Sequence, residues 1–191
     1  MKAITLTGFG GVEVLSLAEI DKPSIQTNQV LIKSKAISIN PIDIKTRMGK
    51  GIARAIKDNL PAVIGWDISG VVQEVGTDVT QFKTGDEVFG MIAFPATGKT
   101  YAEYVVTNAD EIVLKPANVG SENAAAACLA ALTALQALSQ HTGIQAGQRV
   151  LIHAGSGGVG HFAIQMAKDM GAYVITTSSE KNKDFVLSIG A

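Results

Sequence analysis

In the stretch Ala154-Gly155-Ser156-Gly157-Gly158-Val159-Gly160, three glycines stand at the spacing G-x-G-x-x-G, which lets a backbone close against a diphosphate. Gly155 is expected to permit the sharp turn from a strand into its crossover helix. Gly157 removes a Cβ that would hold a pyrophosphate away, and Gly160 lets helix and strand approach. The diphosphate would meet the free N–H groups and positive dipole end of a helix beginning near Gly158. By itself the pattern is weak, because 20 glycines in 191 residues generate it by chance in loops. Its flanks give it weight. Val150-Leu151-Ile152-His153 suits a buried strand, and His161 to Lys168 suits a helix with Phe162, Ile164, Met166 and Ala167 apolar. Gly171-Ala172 closes that helix, and Tyr173 to Thr177 is a second β-branched run. Strand, glycine turn, helix and strand make a βαβ unit that predicts dinucleotide binding.

The end of the second strand bears on which dinucleotide. An NAD site offers Asp or Glu about twenty residues beyond the first glycine, to accept both ribose hydroxyls. Here Thr177-Ser178-Ser179 stand at that place, with Lys181 and Lys183 just after, all able to donate to a 2′-phosphate. NADPH is therefore the expected cofactor, with Glu180 the contrary feature.

The elements that must position this loop occupy the rest of the chain. With 47% hydrophobic residues, the chain has enough apolar content for a core, and no excess of Pro or Ser suggests disorder. Its 16 basic and 17 acidic residues leave a formal charge of −1 without a dense basic cluster, so small molecules are expected as partners rather than nucleic acid or membrane. One cysteine, Cys128, forms no internal disulfide; the N-terminus shows no signal-peptide pattern, no apolar run is long enough to span a bilayer, and a cytoplasmic location is expected.

Up to about residue 117 the pattern is short strands and turns. Strands are expected at Lys2 to Leu6, Val12 to Leu17, Gln29 to Ile39, Ile68 to Val75, Glu87 to Ile92, Tyr101 to Thr107 and Glu111 to Leu114. Gly70, inside one of them, suggests a bulge or barrel corner. A turn of helix is expected at Asp43 to Met48, and Gly49 to Leu60 reads as a mobile loop or short helix. Then Ser121 is expected to cap an alanine-rich helix from Asn123 to Gln140, with Leu129, Leu132, Leu135 and Leu138 three apart, ended by Gly143. Being short of charge on every face, this helix, or a pair broken near Cys128, is expected to be buried between two domains, residues 1–120 and 121–191.

Together, Asn40-Pro41-Ile42-Asp43, Gly65-Trp66-Asp67, Gly85-Asp86-Glu87-Val88-Phe89-Gly90, Tyr101-Ala102-Glu103-Tyr104, Leu132-Thr133-Ala134 and the loop Ala154 to Gly160 resemble the medium-chain dehydrogenase/reductase superfamily. The nearest branch is that of the zinc-independent quinone oxidoreductases and zeta-crystallins. The resemblance implies an α/β plus β fold: a GroES-like, β-rich catalytic domain followed by the first part of a Rossmann domain, with substrate and nicotinamide meeting in the cleft between them. It also implies NADPH-dependent reduction of quinones or α,β-unsaturated carbonyls, and a homodimer at full length. In zinc-dependent relatives a cysteine lies near Pro41-Ile42-Asp43 and a histidine follows Gly65; this chain has Ile42 and Trp66 there, so no metal is expected. Without a Lewis acid, a quinone or enone, whose negative charge delocalises onto oxygen as hydride arrives, suits the site better than an unactivated alcohol.

On the substrate side, Asn40 is expected either to donate its amide to a carbonyl oxygen or to fix a ribose, or else to be a turn residue before Pro41. Asp43 either positions a ribose hydroxyl or caps the following helix. Thr133 bonds back to its own helix unless, as the resemblance implies, it contacts nicotinamide. Arg47 holds phosphate or is solvated, Tyr101 reads as structural, and His141, His153 and His161 as packing or capping residues. A non-catalytic NADPH-binding protein and an enoyl-reductase module of a larger enzyme remain alternatives. The chain ends after two nucleotide-domain strands, so it is expected to be a truncated form with weak NADPH binding and little turnover.

Overall fold

A computed structural model describes residues 1–191, and the chain divides into two compact units, Met1–Cys128 and Leu129–Ala191.

In the first unit, β1 (Lys2–Leu6), β2 (Leu15–Glu19) and β4 (Ala62–Val63) form a three-stranded antiparallel sheet in the order β2-β1-β4. A 3-10 turn, Val12–Val14, occupies the start of the expected Val12 to Leu17 strand, because Val14 N–H is drawn back to Gly11 and pairing with β1 begins only at Leu15. Five strands make the larger antiparallel sheet: β3 (Gln29–Ile37), β5 (Asp67–Val75), β6 (Glu87–Met91), β7 (Tyr104–Asn108) and β8 (Val113–Leu114), in the order β7-β3-β5-β6-β8. The strand expected from Tyr101 starts three residues later. Tyr101 N–H instead bonds Ile64 O at 3.1 Å, and Glu103 N–H bonds Lys2 O, so this segment bridges to the other sheet before β7 begins.

Alternate residues of β3 and β5 (Val30, Ile32, Ile68, Val72) join Val88, Ile92, Val105 and Ile112 in the unit's main core, as the two-residue period requires. The expected irregularity at Gly70 is present. The β3–β5 register slips between Ser34 and Ala36, opposite Gly70 and Ser69, and a Cβ on Gly70 would overlap Lys33 O. After β3, α1 (Pro41–Arg47) starts two residues before Asp43, since Pro41 suits the first helical position. Gly49 to Leu60 folds as α2 (Ala53–Ile56) and a 3-10 turn, Lys57–Asn59, with Ala53 and Ile56 buried.

The long helix α3 (Ser121–Gln136) runs unbroken past Cys128 and continues as a π-helical turn, Ala137–His141, before Gly143 at φ 56°. Ser121 is inside the first turn rather than its cap: Gly120 O accepts the first helical N–H, from Ala124. Nor is the helix apolar contact on all sides. Ala124, Ala125, Cys128, Ala134 and Leu138 are buried, while Leu132, Thr133 and Leu135 are exposed.

In the second unit, β9 (Arg149–Ile152) and β10 (Tyr173–Thr176) pair in parallel around α4 (Gly158–Asp169), and α5 (Lys183–Ser188) follows. Ala163, Ile164 and Ala167 of α4 pack with Val174, Val186, Ala134 and Leu138. The expected βαβ unit is formed.

Candidate functional sites

Within the second unit, the loop from β9 to α4 is built on close backbone contacts. Its left-handed residue is Ala154, at φ 53°; none of the three motif glycines has a positive φ. The expectation that Gly155 supplies the turn is therefore corrected. Gly155 is needed for proximity, because a Cβ there would overlap Thr176 Oγ1 and press on Ile164 Cδ1. Gly160 acts as expected: its Cβ would overlap Ala154 O and crowd Gly155 Cα, so it lets α4 lie on the loop. Gly157 precedes the first turn of α4, with Ala154 O 3.1 Å from its would-be Cβ, and nothing lies within 4 Å of a Cβ on Gly158. The N–H groups of Gly158, Val159 and Gly160 belong to the first turn, where a helix offers no carbonyl partner of its own.

Across from them stands the end of β10. Gly155 N–H donates to Thr177 O at 2.9 Å and Ala154 N–H to Thr177 Oγ1 at 3.1 Å, locking the two loops together. His153 Nδ1 lies 3.2 Å from the same hydroxyl. Asn182, which sequence reasoning passed over, donates to Ser156 Oγ at 2.9 Å and ties the segment after β10 to the glycine loop. Nothing in the sequence marks it beyond its place beside Lys181. Thr177, Ser178, Ser179 and Lys183 line an open cleft of about 530 Å³, and the exposed Lys183 ammonium is 3.9 Å from Glu180. Thr133 is exposed, but its hydroxyl donates to Leu129 O at 2.7 Å. His161 Nδ1 sits 2.9 Å from Gly157 O.

In the first unit, the polar groups sit where β3 runs into α1. Asn40 Nδ2 donates to Asp67 Oδ2 at 2.8 Å and to Ser38 Oγ at 2.9 Å; Ser38 Oγ in turn donates to Asp67 Oδ2 at 2.8 Å. Asn40 backbone N–H donates to Asp43 Oδ2 at 2.8 Å, so Asp43 closes the first turn of α1 back on its cap, the capping role the sequence allowed. Asp67 is fully buried and Asp43 is 2% exposed.

Burial pushes the Asp43 carboxyl above the usual carboxylate range, and the negative Asp67 adds to the push. The Asn40 N–H and the Tyr101 phenol beside Asp43 act the other way, without overcoming it. Burial, then the charge of Asp43, raise the Tyr101 phenol in turn. Tyr101 is held there by Gly65, at φ 101°, where a Cβ would overlap Thr100 Oγ1 and lie 2.5 Å from Tyr101 Cδ1. Thr46 and Thr100 hydroxyls and Arg47 Nε are also buried in this unit without hydrogen-bond partners. The cluster joins Asn40 and Asp43, both expected from sequence, to Ser38, Asp67 and Tyr101, which were unassigned or read as structural.

Trp66 and Cys128 belong to the core around this cluster. Trp66 is fully buried, donates Nε1–H to Ala96 O at 2.7 Å and meets Phe94 edge-on at 6.2 Å between ring centres. Burial and the charge of Asp67 push the Cys128 thiol up to about 12, so it remains protonated and inert. No three His, Cys, Asp or Glu side chains come together as a metal site would require.

Residues 26–117 match the alcohol dehydrogenase GroES-like domain. Over its full length the chain is 39% identical to the chloroplastic quinone-oxidoreductase homolog of Spinacia oleracea, covering 59% of that protein. It is 39% identical to the chloroplastic NADPH-dependent alkenal/one oxidoreductase of Arabidopsis thaliana, covering 51% of it. Among solved structures, the quinone oxidoreductase from Coxiella burnetii superposes on the whole chain with a TM-score of 0.93 at 48% identity, the match taking in 60% of that protein. The chain thus spans between half and three fifths of the length of these relatives. With a GroES-like sheet unit, a βαβ unit carrying G-x-G-x-x-G and full-length similarity to these proteins, the chain resembles the quinone oxidoreductase branch of the medium-chain dehydrogenase/reductase superfamily.

Proposed function

We propose that this chain is the catalytic-domain and first nucleotide-binding portion of a zinc-independent, NADPH-dependent reductase of quinones or α,β-unsaturated carbonyls. The observation that carries the reading is the start of α4, open at Gly158 and tied through Ala154 and Gly155 to Thr177 at the hydroxyl-rich end of β10. A diphosphate laid on Gly157 to Gly160 would receive hydrogen bonds from the first-turn N–H groups, with no Cβ at Gly157 or Gly158 to hold it off. Ser178, Ser179 and Lys183 are exposed just beyond the end of β10, where they suit a 2′-phosphate better than a bare ribose diol. Bound NADPH supplies a hydride; the chain supplies orientation and a water-poor polar surface. Asn40 is the substrate-side candidate of this reading, on a turn that Asp43 closes, and Thr133 Oγ, still able to accept a hydrogen bond, a nicotinamide contact.

Zinc independence is supported by what occupies the ligand positions. Ile42 has no donor atom, and the indole of Trp66 is engaged in the core. Similarity to the spinach quinone-oxidoreductase homolog and the Arabidopsis alkenal/one oxidoreductase favours quinones and alkenals or enones as acceptors.

Steady-state NADPH oxidation with a panel of quinones and enones, alongside fluorescence titration with NADPH and NADH, tests the proposal. Tighter binding of NADPH than of NADH is expected, with the preference lost in the Lys181→Ala, Lys183→Ala double variant. Equal affinity for the two cofactors, or a preference untouched by the double variant, would refute the NADPH assignment. Cofactor binding by the complete protein with no turnover on any acceptor would favour a binding protein over an enzyme.

A further inference from the structure

We propose that Asn182 is a latch on the nucleotide loop: its bond to Ser156 holds the loop before α4 against the segment after β10, and an entering nucleotide must break that bond. Two kinds of contact join these segments. At the base they are backbone bonds, Thr177 N–H to Ile152 O at 3.2 Å and Gly155 N–H to Thr177 O at 2.9 Å, which continue the parallel pairing of β9 and β10. At the tip stands one side-chain bond, Asn182 Nδ2–H to Ser156 Oγ at 2.9 Å, between two partly exposed residues. The two segments thus close a ring, fixed by backbone at one end and by a single neutral hydrogen bond at the other.

On the dinucleotide reading above, on which this inference rests, that ring lies where the ligand must go. The pyrophosphate of a bound dinucleotide lies at the start of the crossover helix and its adenosine ribose against the end of the second strand. The ribose therefore bridges the same two segments that Ser156 and Asn182 bridge directly. A contact of 2.9 Å leaves no space for a sugar between its partners.

Asn182 also has somewhere else to turn. It is the N-cap residue of α5, a place where asparagine ordinarily accepts an N–H of the first turn, yet its side chain makes no capping bond. Its backbone N–H is held by Ser179 O at 2.9 Å, so changing partners needs only side-chain rotation. Closed, the amide serves Ser156; open, it caps α5. Each state has one neutral hydrogen bond of this side chain, which makes the element two-state. A ligand that binds only the open state loses affinity in proportion to the open fraction, about two- to tenfold for a bond of this kind.

Stopped-flow binding of NADPH, followed by its fluorescence, reads the latch. Asn182→Ser keeps an oxygen to cap α5 but is too short to reach Ser156, and Asn182→Ala removes both functions. Both variants should raise the association rate constant about two- to tenfold and leave dissociation unchanged. Ser156→Ala should raise association by the same factor, and the Ser156→Ala, Asn182→Ser double variant no further. Without ligand, exchange of the Gly157 amide, bonded to Ala154 O, should quicken in both Asn182 variants. Faster dissociation with unchanged association would make Asn182 a ligand contact and overturn the latch, as would a Gly157 amide indifferent to Asn182→Ser. Failure of NADPH to bind any of these forms would refute the dinucleotide reading itself, and the latch with it.

Discussion

Asp43 carries the clearest linkage between burial and pH. Its folded-state carboxyl titrates above the ordinary range because it lies in the interior, while in the unfolded chain it titrates normally. Between those two values the folded state holds more protons than the unfolded state. Stability contributed by this group is therefore present at low pH and falls as pH rises through the interval, the reverse of a salt-bridged aspartate. Asp43→Asn keeps an oxygen to accept the Asn40 N–H but has no charge to bury. Urea unfolding at about pH 4 and about pH 8 should show the variant gaining on the parent chain as pH rises. A stability difference constant across that range would mean that Asp43 titrates as an exposed carboxylate. The sequence pointed to Asn40 and Asp43 because an Asn-Pro-x-Asp turn has few ways to satisfy its backbone. It assigned no role to Asp67 and a structural one to Tyr101, and these reach the cluster from β5 and from the segment before β7, far away in the chain. Contacts of that kind follow from sheet pairing, and no local spacing encodes them.

At the level of elements, the glycine loop separates two demands that look alike in the sequence. Gly155 and Gly160 satisfy the protein's own packing, whereas Gly158 faces open space. Gly155→Ala should push Thr176 and Ile164 apart and cost about 1–3 kcal/mol, measurable as a lower urea midpoint. Gly158→Ala should leave thermal stability unchanged or slightly raised, as alanine is the better helix former, yet weaken NADPH by placing a methyl group where the diphosphate would lie. Equal loss of stability in both variants would show that the loop is crowded throughout. The strand–glycine–helix–strand order was legible because each piece has its own period and the motif its own spacing. The positive φ at Ala154 was not, since nothing in its residue type asks for it. The helix from Ser121 illustrates the same limit: an uncharged surface reads as buried on all sides, but Leu132 and Leu135 remain exposed.

Over the whole molecule, the two compact units differ in how their sheets are secured. Strand β3 lies between β5 and β7, and its Val30, Leu31 and Ile32 are fully buried. Strands β9 and β10 have only each other, and Leu151 and Tyr173 are more than half exposed. A two-stranded sheet with exposed apolar side chains has little to prevent local opening. Amide hydrogen exchange should therefore find Ile32 protected up to global unfolding, with Leu151 and Val174 exchanging orders of magnitude faster. A ligand that binds only the closed βαβ unit must slow its opening by the factor 1 + [L]/Kd. NADPH at about a hundred times its Kd should slow exchange in β9, β10 and the first turn of α4 by about a hundredfold, while leaving β3 unchanged. Protection spreading equally over β3 would mean that NADPH stabilises the chain as one cooperative body. No change in the βαβ unit would remove the nucleotide loop from the binding site.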